Sequence, residues 1–134
     1  MESKAAMTNT IYDRLLAEMP SGLDRATLRV LSFHVGREVA IGRADLVICI
    51  QQNGFDVSER QVRRCVHDLR RQGHLICSAP GESGGYFLAS TLDEFREFCE
   101  RELHPKAVDM LETESKMKEA ARQRFGEATQ PQMI

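Results

Sequence analysis

Apolar residues first recur at helical spacing. Ile11, Leu15, Leu16 and Met19 share one face and predict a helix over 9–19, which Pro20-Ser21-Gly22 interrupts. Leu28, Leu31, Ser32 and Val35 carry the next stripe, predicting a helix over 24–35 with Asp24 as its cap and Gly36 as its stop. Glu38-Val39-Ala40-Ile41 alternates and reads as a short strand. Leu46, Val47, Cys49 and Ile50 place a helix over 43–52, closed by Asn53-Gly54.

The segment from Phe55 to Gly73 is the most informative. Ser58 can cap a helix, and Gln61, three residues on, completes a capping box by reaching back to the Ser58 amide. Val57 and Val62 are placed to form a hydrophobic staple. Val62, Cys65, Val66 and Leu69 make the buried stripe, and Gly73 sits where the helix must stop. The flanks HLICSAP and YFLAS enclose PGESGG and predict a β-hairpin. Thr91 and Glu94 then suggest a second capping box, opening a helix whose apolar face is Leu92, Phe95, Phe98, Cys99 and Leu103. Pro105 permits a new start, and a last helix is expected over 106–125 with a weaker stripe of Ala107, Met110, Leu111, Met117, Ala121 and Phe125.

Composition narrows the function classes. At 134 residues with 42 % apolar content, the chain can bury a core without metal or disulfides. It carries 18 basic and 20 acidic groups, net −2, which excludes a basic nucleic-acid coat. The charge is uneven: residues 1–57 are −1, 58–80 are +3 and 81–134 are −4. The positive block thus coincides with one predicted helix. No apolar run is long enough for a membrane span, and MESKAAMTNT has no apolar core of a secretory signal, so the expectation is a cytoplasmic protein. Cys49, Cys65, Cys77 and Cys99 form no CxxC pair, and His34, His67, His74 and His104 form no HxH or HExxH, so no metal and no cofactor are expected. The cysteines lie on apolar stripes rather than beside a base, and GESGG lacks the Lys-Ser/Thr of a phosphate-binding loop; the expectation is that the chain is not an enzyme.

On about 100° per residue, Arg60, Arg64, His67 and Arg71 lie opposite the Val62–Leu69 stripe, with Gln61 and Arg63 flanking. One edge of this helix is therefore dry and the other cationic. An Arg-rich face is, on its own, also what a solvated helix displays.

The ordered run RADLVICIQQNGFDVSERQVRRCVHDLRRQGHLICSAPGESGGYFLAS, in its context from residue 23 to 90, resembles the winged helix-turn-helix DNA-binding domain. SER-x-VRR and Leu-Arg-Arg-Gln-Gly look like the ends of a recognition helix. GGYFLA is similar to the wing exit strand of biotin-repressor-type and phage-derived winged helix proteins. The resemblance implies a mainly α fold: a three-helix helix-turn-helix core plus a β-hairpin wing, with an extra N-terminal helix and C-terminal helices. The expected organisation is an N-terminal helical arm over 1–22, the winged helix domain over 23–90 and a C-terminal helical extension over 91–134.

The resemblance also implies double-stranded DNA as partner, for a transcriptional regulator or a phage or mobile-element factor. A recognition helix of 58–72 would insert into the major groove. Arg60, Gln61 and Arg64 are then expected at base edges, because guanidinium forks match guanine and an amide matches adenine. Arg63, Arg70, Arg71 and Arg43 are expected at phosphates, His67 either at a base or as a plain surface histidine, the hairpin-tip Ser83 at a phosphate, and Ser58 within the same surface. The tip itself carries Glu82 and no base. The alternative is a winged helix used as a protein-docking module without DNA binding. Met110, Met117 and Phe125 call for cover, either from a homodimer through 91–125 or from the chain folding back.

Overall fold

The structure is a computed structural model that describes residues 11–81 and 84–126. Those residues are mainly helical with a small three-stranded antiparallel sheet, and they fall into two compact units meeting at Phe98 and Cys99. The first unit contains α1 (residues 11–18), α2 (Leu23–Leu31), β1 (Ile41–Gly42), α3 (Arg43–Gln52), α4 (Glu59–Arg71), β2 (Ile76–Ser78), β3 (Gly85–Leu88) and α5 (Leu92–Phe98). The second contains a π-helical turn (Cys99–Leu103) and α6 (His104–Phe125). Among the described residues no helix is long and apolar enough to cross a membrane.

Helices α2, α3 and α4 pack on one another. Their apolar stripes converge on Leu28, Leu31, Leu46, Ile50, Val62, Val66 and Leu69, all buried. Each fully buried Leu or Ile contributes about 1.5–3 kcal/mol, so these side chains dominate the first unit's stability. The sheet has the order β1-β3-β2. Its period of two divides it cleanly. Ile76, Tyr86 and Leu88 join the helical core, while Cys77 and Phe87 form a second cluster with Phe98 of α5. Both faces of the hairpin are therefore covered.

Several elements differ from expectation. Residues 38–41 are not one strand. Arg37–Val39 form a 3-10 turn, and only Ile41–Gly42 pair with β3. In α1 the buried residues are Tyr12 and Leu16, while Ile11 is 56 % exposed. The larger ring of Tyr12, one turn before Leu16, rotates the helix away from the Ile11–Leu15 face. Asp24 does not cap α2, which begins at Leu23 after Gly22. Thr91 Oγ1 accepts from the Glu94 amide as a cap should. The Glu94 carboxylate accepts from the Ser90 and Arg37 amides, tying the 3-10 turn to the start of α5. The single helix expected over 91–103 gives way to a π turn at Cys99. That turn includes Arg101, the residue four before Pro105, whose carbonyl an ordinary α turn would drive into the proline ring.

Candidate functional site

Helix α4 starts with the expected cap. The Gln61 amide donates to Ser58 Oγ at 3.2 Å, and the Ser58 amide donates to Gln61 Oε1 at 2.8 Å. Val57 and Val62 are both buried at the start. The helix ends at Arg71, and Gly73 takes a φ of 98°, which a residue with a Cβ reaches only under strain. These ends fix the rotation of a 13-residue helix whose buried residues are Val62, Cys65, Val66 and Leu69.

Arg60, Arg64, His67 and Arg71 are all exposed on the opposite edge. Among the described residues, Arg60, Arg64 and Arg71 have no carboxylate within 4 Å. Arg63 lies 3.9 Å from Glu59, but both side chains are more than half exposed and the pair is weak. This edge opens onto a cleft of about 730 Å3 whose far wall includes Tyr86 of β3. A second, small hollow runs from Arg63 past Tyr86 to Arg43 at the start of α3. Arg43 therefore belongs to the same cationic surface, with its guanidinium 5.8 Å from the Tyr86 ring centroid.

Two residues receive roles the pattern did not suggest. Arg70, expected at a phosphate, is instead a strut. Its Nε donates to the Ile76 carbonyl at 2.8 Å and its Nη2 to Ser78 Oγ at 3.0 Å, while its guanidinium lies 5.0 Å from the Phe98 ring and 5.8 Å from Tyr86. Those contacts fix β2 against the C-terminal half of α4 and leave little of the fork for a ligand. Tyr86 walls the cleft, and its place follows from strand parity: Phe87 faces α5, so its neighbour must face the helices. Gln61 also has less freedom than expected. Ser58 occupies its Oε1, so a two-point adenine contact would require opening the cap. Ser58 is exposed, with its hydroxyl in that cap. Ser83 lies outside the described residues.

Behind the site, Cys65 donates to Asp24 Oδ1 at 3.0 Å, and Thr27 Oγ1 lies 3.4 Å from its sulfur. Burial, reinforced by Asp24, pushes its thiol up to about 12. Gln72 Nε2 donates to the other Asp24 oxygen, so one carboxylate joins the start of α2 to both the middle and the end of α4. Burial also holds the nearby His74 below its ordinary value. The Cys65 geometry gives a direct check. Buried and with its thiolate disfavoured, Cys65 should react with iodoacetamide at pH 8 only in denaturant, as should the buried Cys77, whereas the half-buried Cys49 and Cys99 should be modified in the folded chain. Mass mapping that finds Cys65 labelled as fast as Cys49 would contradict this packing of α4 on α2.

No protein-family model, curated protein or solved structure matches this chain.

Proposed function

We propose that the chain is a winged helix protein that binds double-stranded DNA sequence-specifically, with α4 in the major groove. The role would be that of a transcriptional regulator or a phage or mobile-element factor in the cytoplasm, acting by binding rather than catalysis. The observation that carries this reading is the exposed edge of α4, where three arginines without carboxylate partners among the described residues stand opposite a fully buried stripe. The succession of α2, α3, α4 and the β2–β3 hairpin, with β1 added to the hairpin's edge, supports the winged helix part. A groove about 12 Å wide accepts one helix, and Arg60 and Arg64 project from its N-terminal half, where base edges are reached. Arg43, Arg63 and Arg71 flank them as phosphate contacts, and His67 lies between the two sets.

Phosphate neutralisation sets the affinity scale. The three phosphate contacts of Arg43, Arg63 and Arg71 give a slope of log affinity against log salt of about −3, at roughly −0.9 per contact. Fluorescence anisotropy with a labelled random duplex between 50 and 200 mM salt should show that slope. The net charge of −2 and the acidic hairpin tip favour a second reading, a protein-docking winged helix. That reading predicts no anisotropy change even at the lowest salt, and such a result would remove the DNA proposal.

A further inference from the structure

Tyr86 is only 6 % exposed, and its hydroxyl makes no hydrogen bond among the described residues. Its backbone is fixed on both sides, since β3 pairs it with Ile41 of β1 and with Ser78 of β2. Its ring is held as well: the guanidinium groups of Arg43 and Arg70 each lie 5.8 Å from the centroid. The side chain lines both hollows, the cleft along α4 and the smaller one that reaches Arg43. A hydroxyl in so buried a residue ordinarily has a partner, because going without one costs free energy. The surroundings offer it few acceptors. Five arginines line the cleft against one carboxylate, that of Asp68, and an arginine side chain carries donors only. In the smaller hollow the one carboxylate, Glu59, lies 3.9 Å from Arg63. Donors therefore outnumber acceptors around Tyr86, and the group that satisfies them is anionic and rich in oxygen. A phosphate accepts from guanidinium forks and from a phenol at the same time.

We propose that the Tyr86 hydroxyl donates a hydrogen bond to a phosphate group seated between α4 and the start of α3, with Arg43 and Arg63 neutralising its charge. The inference rests on the DNA-binding reading for the source of that phosphate, a backbone phosphate of the duplex. Tyr86 differs from the arginines in being neutral. It displaces no counterion, so it adds affinity without steepening the salt dependence. It touches no base edge, so it contributes alike to every duplex. Burial and the two guanidinium groups fix the phenol before the ligand arrives, so little ordering is left for binding to offset. Arg70 is a positioning residue here. Tied to the Ile76 carbonyl and to Ser78 Oγ, it acts through the Tyr86 ring rather than on the phosphate.

Tyr12 and Tyr86 are the two tyrosines of the chain, which makes the test direct. In the full chain with carbon-13 in its tyrosine rings, the hydroxyl-bearing carbons give two NMR signals, assigned with Tyr12→Phe and Tyr86→Phe. Adding a random-sequence duplex at low salt should shift the Tyr86 signal and leave that of Tyr12, buried in the helical core, unmoved. By anisotropy, Tyr86→Phe should bind every duplex about tenfold more weakly, the effect of one hydrogen bond to a charged acceptor, with the salt slope unchanged. Arg43→Ala should weaken binding and also flatten that slope by about one. Tyr86→Phe keeps the ring and its two guanidinium contacts, so its melting temperature should stay within about 2 °C of wild type. The wild-type signal decides the question by itself in the event that the variant folds poorly. A duplex that binds without moving the Tyr86 signal overturns the proposal and leaves the DNA reading standing, as does a folded Tyr86→Phe chain with wild-type affinity. In a chain that binds no duplex, millimolar inorganic pyrophosphate separates the two. A shift confined to Tyr86 keeps the phosphate seat and assigns it to a free phosphate compound, while the DNA reading falls. An unmoved signal overturns both.

Discussion

Replacing Arg60 and Arg64 together by alanine is expected to lower affinity for a duplex selected by the wild-type chain at least about thirtyfold. Each guanidinium fork on a guanine discriminates by about 1–3 kcal/mol, and the two positions are one turn apart on the same edge. Stability should not follow. Both side chains are exposed and make no ion pair among the described residues, and alanine is the best helix former, so the melting temperature should stay within about 2 °C of wild type. The comparison with Arg63→Ala and Arg71→Ala separates reading from holding. Those changes should weaken all duplexes alike and flatten the salt slope by about one each. A double variant that still binds its selected duplex with wild-type affinity would show that this edge of α4 does not enter a groove. Arg70→Ala should behave in the opposite way to Arg60→Ala: it removes bonds to Ile76 and Ser78, so it should lower the melting temperature first and affinity only as a consequence.

Much of this site was legible because its signals are local. The bounds of α3 and the cap, stripe and stop of α4 match the sequence reading, since a capping box, a staple and a C-terminal glycine each act within five residues. The two sides of α4 followed from period alone. What the pattern missed depends on partners distant in sequence. Arg70 is indistinguishable from Arg71 until Ser78 and Phe98 are seen beside it. The Glu94 carboxylate also accepts from the Arg37 amide, 57 residues away, a bond that no local spacing announces. Residues 38–41 have strand composition, but the chain has to turn there to bring Ile41 opposite Tyr86, and a 3-10 turn makes that turn. The rotation of α1 failed for a related reason: counting apolar positions treats Ile11 and Tyr12 alike in rank, whereas burial of a tyrosine ring removes more surface from water.

The frame that presents α4 depends on one close backbone approach, and Gly85→Ala should break it. Gly85 opens β3, the central strand, opposite Gly42 of β1, and a Cβ there would overlap the Ile41 carbonyl. The obstacle is strand backbone on one side, and on the other the Gly85 carbonyl already accepts from the Ala79 amide at 2.8 Å. Neither neighbour is the free end of a flexible side chain, so relief requires β1 and β3 to separate. The cost should reach about 3 kcal/mol, the upper end for overpacking, a large fraction of a single domain's stability. Gly73→Ala is the control. Its φ of 98° makes alanine strained, but no atom lies within 4 Å of the added Cβ, so only the local backbone cost of about 1–2 kcal/mol applies. Urea unfolding should order the midpoints as wild type, Gly73→Ala, Gly85→Ala. Because Tyr86 is the next residue on β3, the Gly85 variant should also lose duplex affinity while still folded at low temperature, through displacement of the far wall of the cleft. A Gly85→Ala chain with a wild-type midpoint would mean that Ile41–Gly42 do not pair with β3, and the placement of Arg43 beside Tyr86 would fall with that pairing.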